Sequence, residues 1–286
     1  MRAVGLRKLR SFITRLRRYL LNIWWKLRPM RMAGRAHQLP NNLIISLTSY
    51  PPRFAVLAPA LKTLLSQSVK PDMVILWIAH NDEALLPNDV LLLQKKGLTI
   101  KTCTDLRSYK KIVPTLEEYP DAFVVTADDD ILYELNWLET LTSSYSNPHE
   151  VLFRRGHTVT VDEDMNPRSY SEWDWEKTSS ESSLFNFPTS GAGALYPPRI
   201  FDARVADSDT FLALSPTADD LWLYWMAGLG GAKFRRVGPE QYPLMVVHAA
   251  QVVSLARINN GPSDNNTLQL ERLLKEFGSP WISDEP

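Results

Sequence analysis

From residue 42 to residue 130 the apolar positions fall into short continuous runs separated by prolines, glycines and polar turns. Leu43–Leu47 reads as a buried strand closed by Ser49-Tyr50-Pro51-Pro52, because proline cannot donate to a sheet ladder. Phe54–Leu65 carries its apolar residues at helical spacing. Met73–Ala79 (MVILWIA) predicts a second strand, Asp89–Lys96 a short helix stopped at Gly97, and Leu98–Cys103 a third strand. The run before Asp128 predicts a fourth strand over Ala122–Thr126, followed by a helix at Asn136–Tyr145 and one or two strands within Val151–Val161. Strands alternating with helices point to an α/β fold with a mostly parallel, doubly wound central sheet flanked by helices. Residues 162–190, polar and rich in aromatics, read as a long ordered loop with a functional role.

The first 36 residues have a different pattern. Leu6, Leu9, Ile13, Leu16, Leu20, Ile23 and Leu27 recur at steps of three and four, one stripe of a helix, while most of Arg7, Lys8, Arg10, Arg15, Arg17 and Arg18 lie off it. With Trp24-Trp25 added, this predicts an amphipathic helix lying on an anionic membrane surface. The apolar runs are too short to span a bilayer, and arginines interrupt any signal-peptide core. A short coiled coil or a helix packed on the body would give the same stripe. Nucleic acid is the less favoured partner for the basic face.

Net charge is zero over 286 residues, but residues 1–71 hold 14 Lys/Arg and no Asp/Glu, leaving 18 basic and 32 acidic residues from Asp72 onwards. This predicts a basic arm (1–36) on an acidic body (37–286) that is long enough for one large core. The single cysteine, Cys103, rules out an intramolecular disulfide and a cysteine-based zinc site. Any metal chemistry must then rest on carboxylates and histidine.

The strongest chemical signal is Asp128-Asp129-Asp130, set directly after the fourth predicted strand. At about 4 Å and an effective dielectric of about 20, each like-charged pair costs about 4 kcal/mol. Such a run needs either a solvated turn or a bound cation, and hard oxygen donors suit Mg²⁺ or Mn²⁺. Three features follow in order: Gly191-Ala192-Gly193, a turn open to close backbone approach; Ala218-Asp219-Asp220 at the start of an apolar helix over Leu221–Ala227; and His248 after the predicted strand Leu244–Val247. Taken singly these read as a turn, a helix cap and a structural histidine.

As an ordered set they resemble the core of the GT-A fold nucleotide-sugar glycosyltransferases, over roughly residues 42–255. The likeness is nearest to bacterial family-2 enzymes that build surface polysaccharides. Asp128-Asp129-Asp130 looks like their DXD motif, Gly191-Ala192-Gly193 like their glycine-rich loop, Ala218-Asp219-Asp220 like their xED motif, and His248 like their late metal histidine. Asp219 departs from the Glu usual at that place. The resemblance implies a donor half over about 42–135 and an acceptor half over about 136–260. It also implies Mn²⁺ or Mg²⁺ held by Asp130, Asp128 and His248, with a nucleotide-sugar donor, UDP-linked by default, and a glycan or lipid-linked acceptor. Asp220 would be the base of an inverting displacement, with Asp219 beside it, at the cytoplasmic face of the inner membrane. Asp128, Asp129, Gly191 and Gly193 would face the donor.

Strand-end chemistry adds Thr48, Ser49, Tyr50, Asn81 and Asp82 as candidates to meet the nucleotide at the carboxyl edge of the sheet, and Lys111 as a candidate for the diphosphate. Trp173, Trp175 and Trp222 are candidates to stack on an acceptor. The competing readings are a haloacid-dehalogenase-like phosphatase, a sugar-phosphate nucleotidyltransferase and a non-enzymatic peripheral membrane adaptor.

Overall fold

The computed structural model describes residues 34–240, 242, 244–247 and 264–281. The basic arm up to residue 33 and His248 lie outside the described residues. At the arm's expected end, Arg35–Ala36 (β1) is a short strand and not part of a helix.

After β1 come β2 (Leu43–Thr48), α1 (Phe54–Leu65), β3 (Val69–Lys70), which pairs in parallel with β1, and β4 (Met73–Ala79). The expected helix at 89–96 is one short turn, α2 (Asn88–Leu91), continued by a 3-10 segment Leu92–Lys96, before β5 (Leu98–Cys103). Then follow α3 (Val113–Glu118), β6 (Phe123–Thr126), α4 (Trp137–Ser143), β7 (Glu150–Phe153), β8 (Gly156–Thr158), β9 (Asp174–Trp175), β10 (Asn186–Pro188) and β11 (Ala194–Tyr196). The last elements among the described residues are α5 (Ser208–Leu214), α6 (Asp219–Leu229), β12 (Lys233–Arg236) and α7 (Asn265–Phe277). Among the described residues no helix is long and apolar enough to cross a membrane.

Seven strands form the main sheet in the order β12-β7-β11-β6-β2-β4-β5. All run in one direction except β11, which is antiparallel to both neighbours. The fold is thus α/β with a mostly parallel sheet, one strand of which is inserted against the grain. The region 162–190 is ordered, and β9 and β10 join β8 in a small antiparallel sheet, β10-β8-β9. The expected strand Leu244–Val247 is reduced to a single bridge, Val246 to Ile131.

The central strands β2, β4 and β6 are mostly apolar because both faces are covered, the regime of parallel sheets. Leu43, Ile45, Leu47, Phe123 and Val125 face the cluster containing Leu57, Leu61 and Leu64 of α1. Val124, Val151 and Phe153 face the opposite cluster, with Trp222 and Trp225 of α6 and Leu270 and Leu273 of α7. Each such burial contributes roughly 1.5–3 kcal/mol. Register puts Ser46 opposite Thr126, Thr48 opposite Trp77, and Ala79 opposite Cys103, so β2, β4, β5 and β6 all end at one rim. Open α/β sheets bind ligands at this carboxyl edge.

Candidate functional site

The acidic run begins where β6 leaves the ladder, just after Ala127 donates its N–H to the Ser46 carbonyl at 3.1 Å. Two of its carboxylates share one guanidinium, and the third lies beside a lysine. Asp129 is buried and accepts from the Ser49 hydroxyl at 2.6 Å and from Arg53 Nη1 at 2.5 Å, tying the run to the end of β2. Asp130 is also buried, with Oδ2 3.5 Å from the same guanidinium nitrogen. Asp128 keeps 37% of its side chain exposed and lies 3.4 Å from Lys111 Nζ.

A buried hydroxyl holds this turn against the glycine loop. Asp128 N–H donates to Tyr133 Oη at 2.7 Å, and Tyr133 Oη donates to the Gly191 carbonyl at 2.6 Å. A Cβ at Gly191 would stand 2.0 Å from Asp128 Oδ2, so any other residue there would push the Asp128 carboxylate aside. Gly193, at φ 106°, occupies left-handed space and leaves room for the Trp137 indole, whose Nε1 donates to the Ala192 carbonyl at 2.8 Å.

The second acidic pair arrives from α6. Ala218 is the helix cap, and neither Asp219 nor Asp220 bonds its own helix end, so plain capping does not account for them. Asp219 Oδ2 is 2.7 Å from Lys111 Nζ. Asp220 Oδ1 accepts from Ser190 N–H at 3.1 Å and from the Ser190 hydroxyl. Burial pushes the Asp220 pKa up to about 6; Lys111 pulls it down, and the Asp219 carboxylate adds to the rise.

Lys111 ends the 3-10 turn Arg107–Lys111, and its side chain is only 7% exposed. Burial alone would lower its pKa, but the carboxylates of Asp128, Asp219 and Asp220 hold it well above the ordinary value. It is therefore a buried cation between the two acidic motifs and not a solvated helix start. Arg53 is the second cation. Burial opposes its charge, and Asp129 and Asp130 more than offset that.

The structure thus gathers Ser49, Lys111, Asp128, Asp129, Asp130, Gly191, Gly193, Asp219 and Asp220. Thr48 spends its hydroxyl on the Trp77 carbonyl at 2.8 Å, and the Tyr50 ring lies 5.6 Å from the Arg53 guanidinium carbon. Asn81 and Asp82 sit in the 3-10 turn after β4, two strands from β6 and at the same rim. No hydrogen bond or ion pair among the described residues joins them to the acidic cluster. Trp173 and Trp222 are buried, whereas Trp175 is 40% exposed. Arg53, Tyr133 and Ser190 went unnoticed in the sequence; each acts on residues 5 to 76 positions away through a fold that local spacing does not encode.

Among the described residues no group of three or more His, Cys, Asp or Glu side chains is arranged to hold a metal ion. What they supply is oxygen donors on Asp128 and Asp130 and an excess of negative charge, five carboxylates around two cations. That donor chemistry fits a hard divalent cation. Val247 N–H donates to the Asp130 carbonyl at 2.7 Å, and Leu132 N–H to the Met245 carbonyl at 2.9 Å, so segment 244–247 runs directly beside the acidic run.

No protein-family model and no curated protein matches the chain. Solved structures similar to it include S. aureus TarS, with 16% identity, 82% of this chain and 72% of that chain covered, and a TM-score of 0.45. Another is the mannosyltransferase PcManGT from Pyrobaculum calidifontis in complex with GDP-Man and Mn²⁺, with 12% identity, 96% and 81% covered, and a TM-score of 0.41. A third is the inositol-1-phosphate CTP transferase from T. maritima, with 10% identity, 84% and 98% covered, and a TM-score of 0.41. At these scores the likenesses are loose, and the fold assignment rests on the strand order above.

Proposed function

We propose that this chain is a nucleotide-sugar glycosyltransferase of the GT-A kind. It moves a sugar from a nucleotide diphosphate, UDP by default, to a glycan or lipid-linked acceptor in surface polysaccharide synthesis. The observation that carries the reading is a half-buried carboxylate, Asp220, set across one buried lysine from a half-exposed carboxylate, Asp128, at the carboxyl rim of the sheet. Transfer of this type needs a base for the acceptor hydroxyl and a place for the departing diphosphate.

Asp220 suits the first role. A carboxylate raised to about 6 is a better base near neutral pH than an ordinary one, yet remains ionised there. Ser190 takes Oδ1 through both its N–H and its hydroxyl, which leaves Oδ2 as the oxygen proposed to take the acceptor proton. Proton uptake on that oxygen favours single in-line displacement with inversion. Asp128 and Asp130 are the described residues that would hold Mn²⁺ or Mg²⁺, with His248 proposed as a third ligand. Such a cation, when bound, neutralises charge on the leaving diphosphate. Gly191 and Gly193 let the backbone approach the donor, and Ser49, through Asp129, fixes the acidic run in place. The basic arm is proposed to hold the enzyme at the cytoplasmic face of the inner membrane.

Asp220→Asn tests the assignment. Transfer should be abolished, while UDP with Mn²⁺ still binds in calorimetry as it does to the unaltered chain. Loss of binding in step with activity would refute Asp220 as base.

A further inference from the structure

Between β7 and β11 the chain builds an aromatic layer that the chemistry above does not use. Tyr170, Trp173 and Phe187 are buried at 7%, 3% and 1% exposure, and His157 at 2%, but Trp175 in the same layer stays 40% exposed. Trp175 is held firmly. It pairs with His157 across β8 and β9, the ring centroids are 4.5 Å apart, and Tyr170 meets it edge-on at 5.6 Å. Burial holds the His157 pKa down to about 4, with Arg155 acting in the same direction, so the supporting imidazole is a neutral plate at pH 7. Glu176 N–H donates to His157 Nδ1 at 3.1 Å, fixing the ring from behind.

This indole is connected to the proposed base by a short path. Ser190 bonds Asp220, the adjoining Thr189 bonds the Arg155 carbonyl through its N–H and its hydroxyl, both at 3.0 Å, and the Arg155 guanidinium pairs with Glu176, next to Trp175. The exposed indole is flanked along the chain by polar side chains. Asp174, Glu176 and Lys177 around it are 53%, 52% and 74% exposed at their side chains. An isoprenoid or acyl chain would need a longer apolar track. A pyranose ring needs one flat apolar face bordered by hydrogen-bonding groups, and that is what is present.

We propose that Trp175, bordered by Arg155 and Glu176, is the acceptor subsite, and that it takes a pyranose ring of a glycan stacked on the indole. The proposal rests on the glycosyl-transfer reading and names the acceptor class as saccharide. Saturation-transfer NMR on the full chain tests it, with methyl glycosides of glucose, galactose, mannose and N-acetylglucosamine as probes in the presence of UDP and Mn²⁺. At least one glycoside should show transfer at its ring C–H protons. Trp175→Ala should weaken that binding about tenfold, and Trp175→Phe should restore much of it. Both variants should stay folded, with a cooperative thermal transition, and keep the calorimetric UDP binding of the unaltered chain.

If no glycoside receives transfer, or if Trp175→Ala binds as well as the parent with its fold intact, the subsite is overturned even where UDP binding stands. If glycosides bind through Trp175 while UDP with Mn²⁺ does not bind at all, the saccharide site holds and the donor assignment falls.

Discussion

Replacing Lys111 by methionine removes the one cation shared by the two acidic motifs and keeps nearly the same stem. At 2.7 Å from Asp219 and 3.4 Å from Asp128 the gross attractions are about 6 and about 5 kcal/mol at an effective dielectric of about 20. Much of that is cancelled in the parent by the cost of burying the ammonium. The net loss expected for leaving buried carboxylates uncompensated is about 3–5 kcal/mol. For a chain of this size that lowers the thermal midpoint by about 6–20 °C. The deficit should depend on pH with a defined sign. Lys111 pulls the Asp220 pKa down, so its removal raises a folded-state value already near 6 further above the unfolded one. Stabilisation from proton uptake is present at low pH and lost as pH rises through the folded value. The variant should therefore be most deficient at pH 7.5 and recover toward pH 5. Differential scanning calorimetry in EDTA at both pH values measures this, and Lys111→Met with Asp219→Asn should regain part of the loss. A midpoint drop under about 2 °C at pH 7.5, or a deficit that grows on acidification, would refute the picture of a charge-compensating lysine.

Two further outcomes follow from the geometry. Gly191→Ala drives a Cβ to 2.0 Å from Asp128 Oδ2, so calorimetry should show UDP with Mn²⁺ binding at least about tenfold more weakly, and unchanged affinity would contradict the close approach. In the unaltered chain Asp220, raised from 3.8 to about 6, contributes stability that is fully present below about pH 4 and lost as pH rises past 6, at most about 3 kcal/mol. Unfolding of the parent against Asp220→Asn across pH 4–7 should trace that loss, and a flat difference would sink it.

The first half of the sheet was legible because β2, β4 and β6 are mostly apolar runs between prolines, glycines and polar turns, β5 follows the helix stop at Gly97, and α1 has helical spacing. The other side was harder for physical reasons. β11 is three residues wedged between glycines and prolines, Gly193 on one side and Pro197 on the other, and such a segment carries no periodicity; its antiparallel direction is set by its neighbours. β12 reads Lys-Phe-Arg-Arg, with only Phe234 apolar, and is a strand because β7 pairs with all four residues. The acidic motifs themselves were visible as composition. Their division of labour was not: Asp129 goes to Ser49 and Arg53, and Asp219 to Lys111, through contacts 76 to 108 residues apart.

The same contacts explain why the cluster tolerates its charge. Five carboxylates against two cations leave three negative charges in excess at full ionisation, and each like pair at about 4 Å would cost about 4 kcal/mol at a dielectric near 20. The fold relieves this in three ways. Asp129 is neutralised directly by Arg53, Asp220 binds a proton near pH 6, and Asp128 is left open to water. Lys111 cannot serve all its neighbours at once. It is nearer to Asp219 than to Asp128, so the more exposed carboxylate of Asp128 at the rim is only partly compensated. A site that served only to stabilise the sheet edge would bury its charges in pairs. This one leaves its excess where a cation arriving from solvent would meet it, with the raised carboxylate of Asp220 one lysine further in.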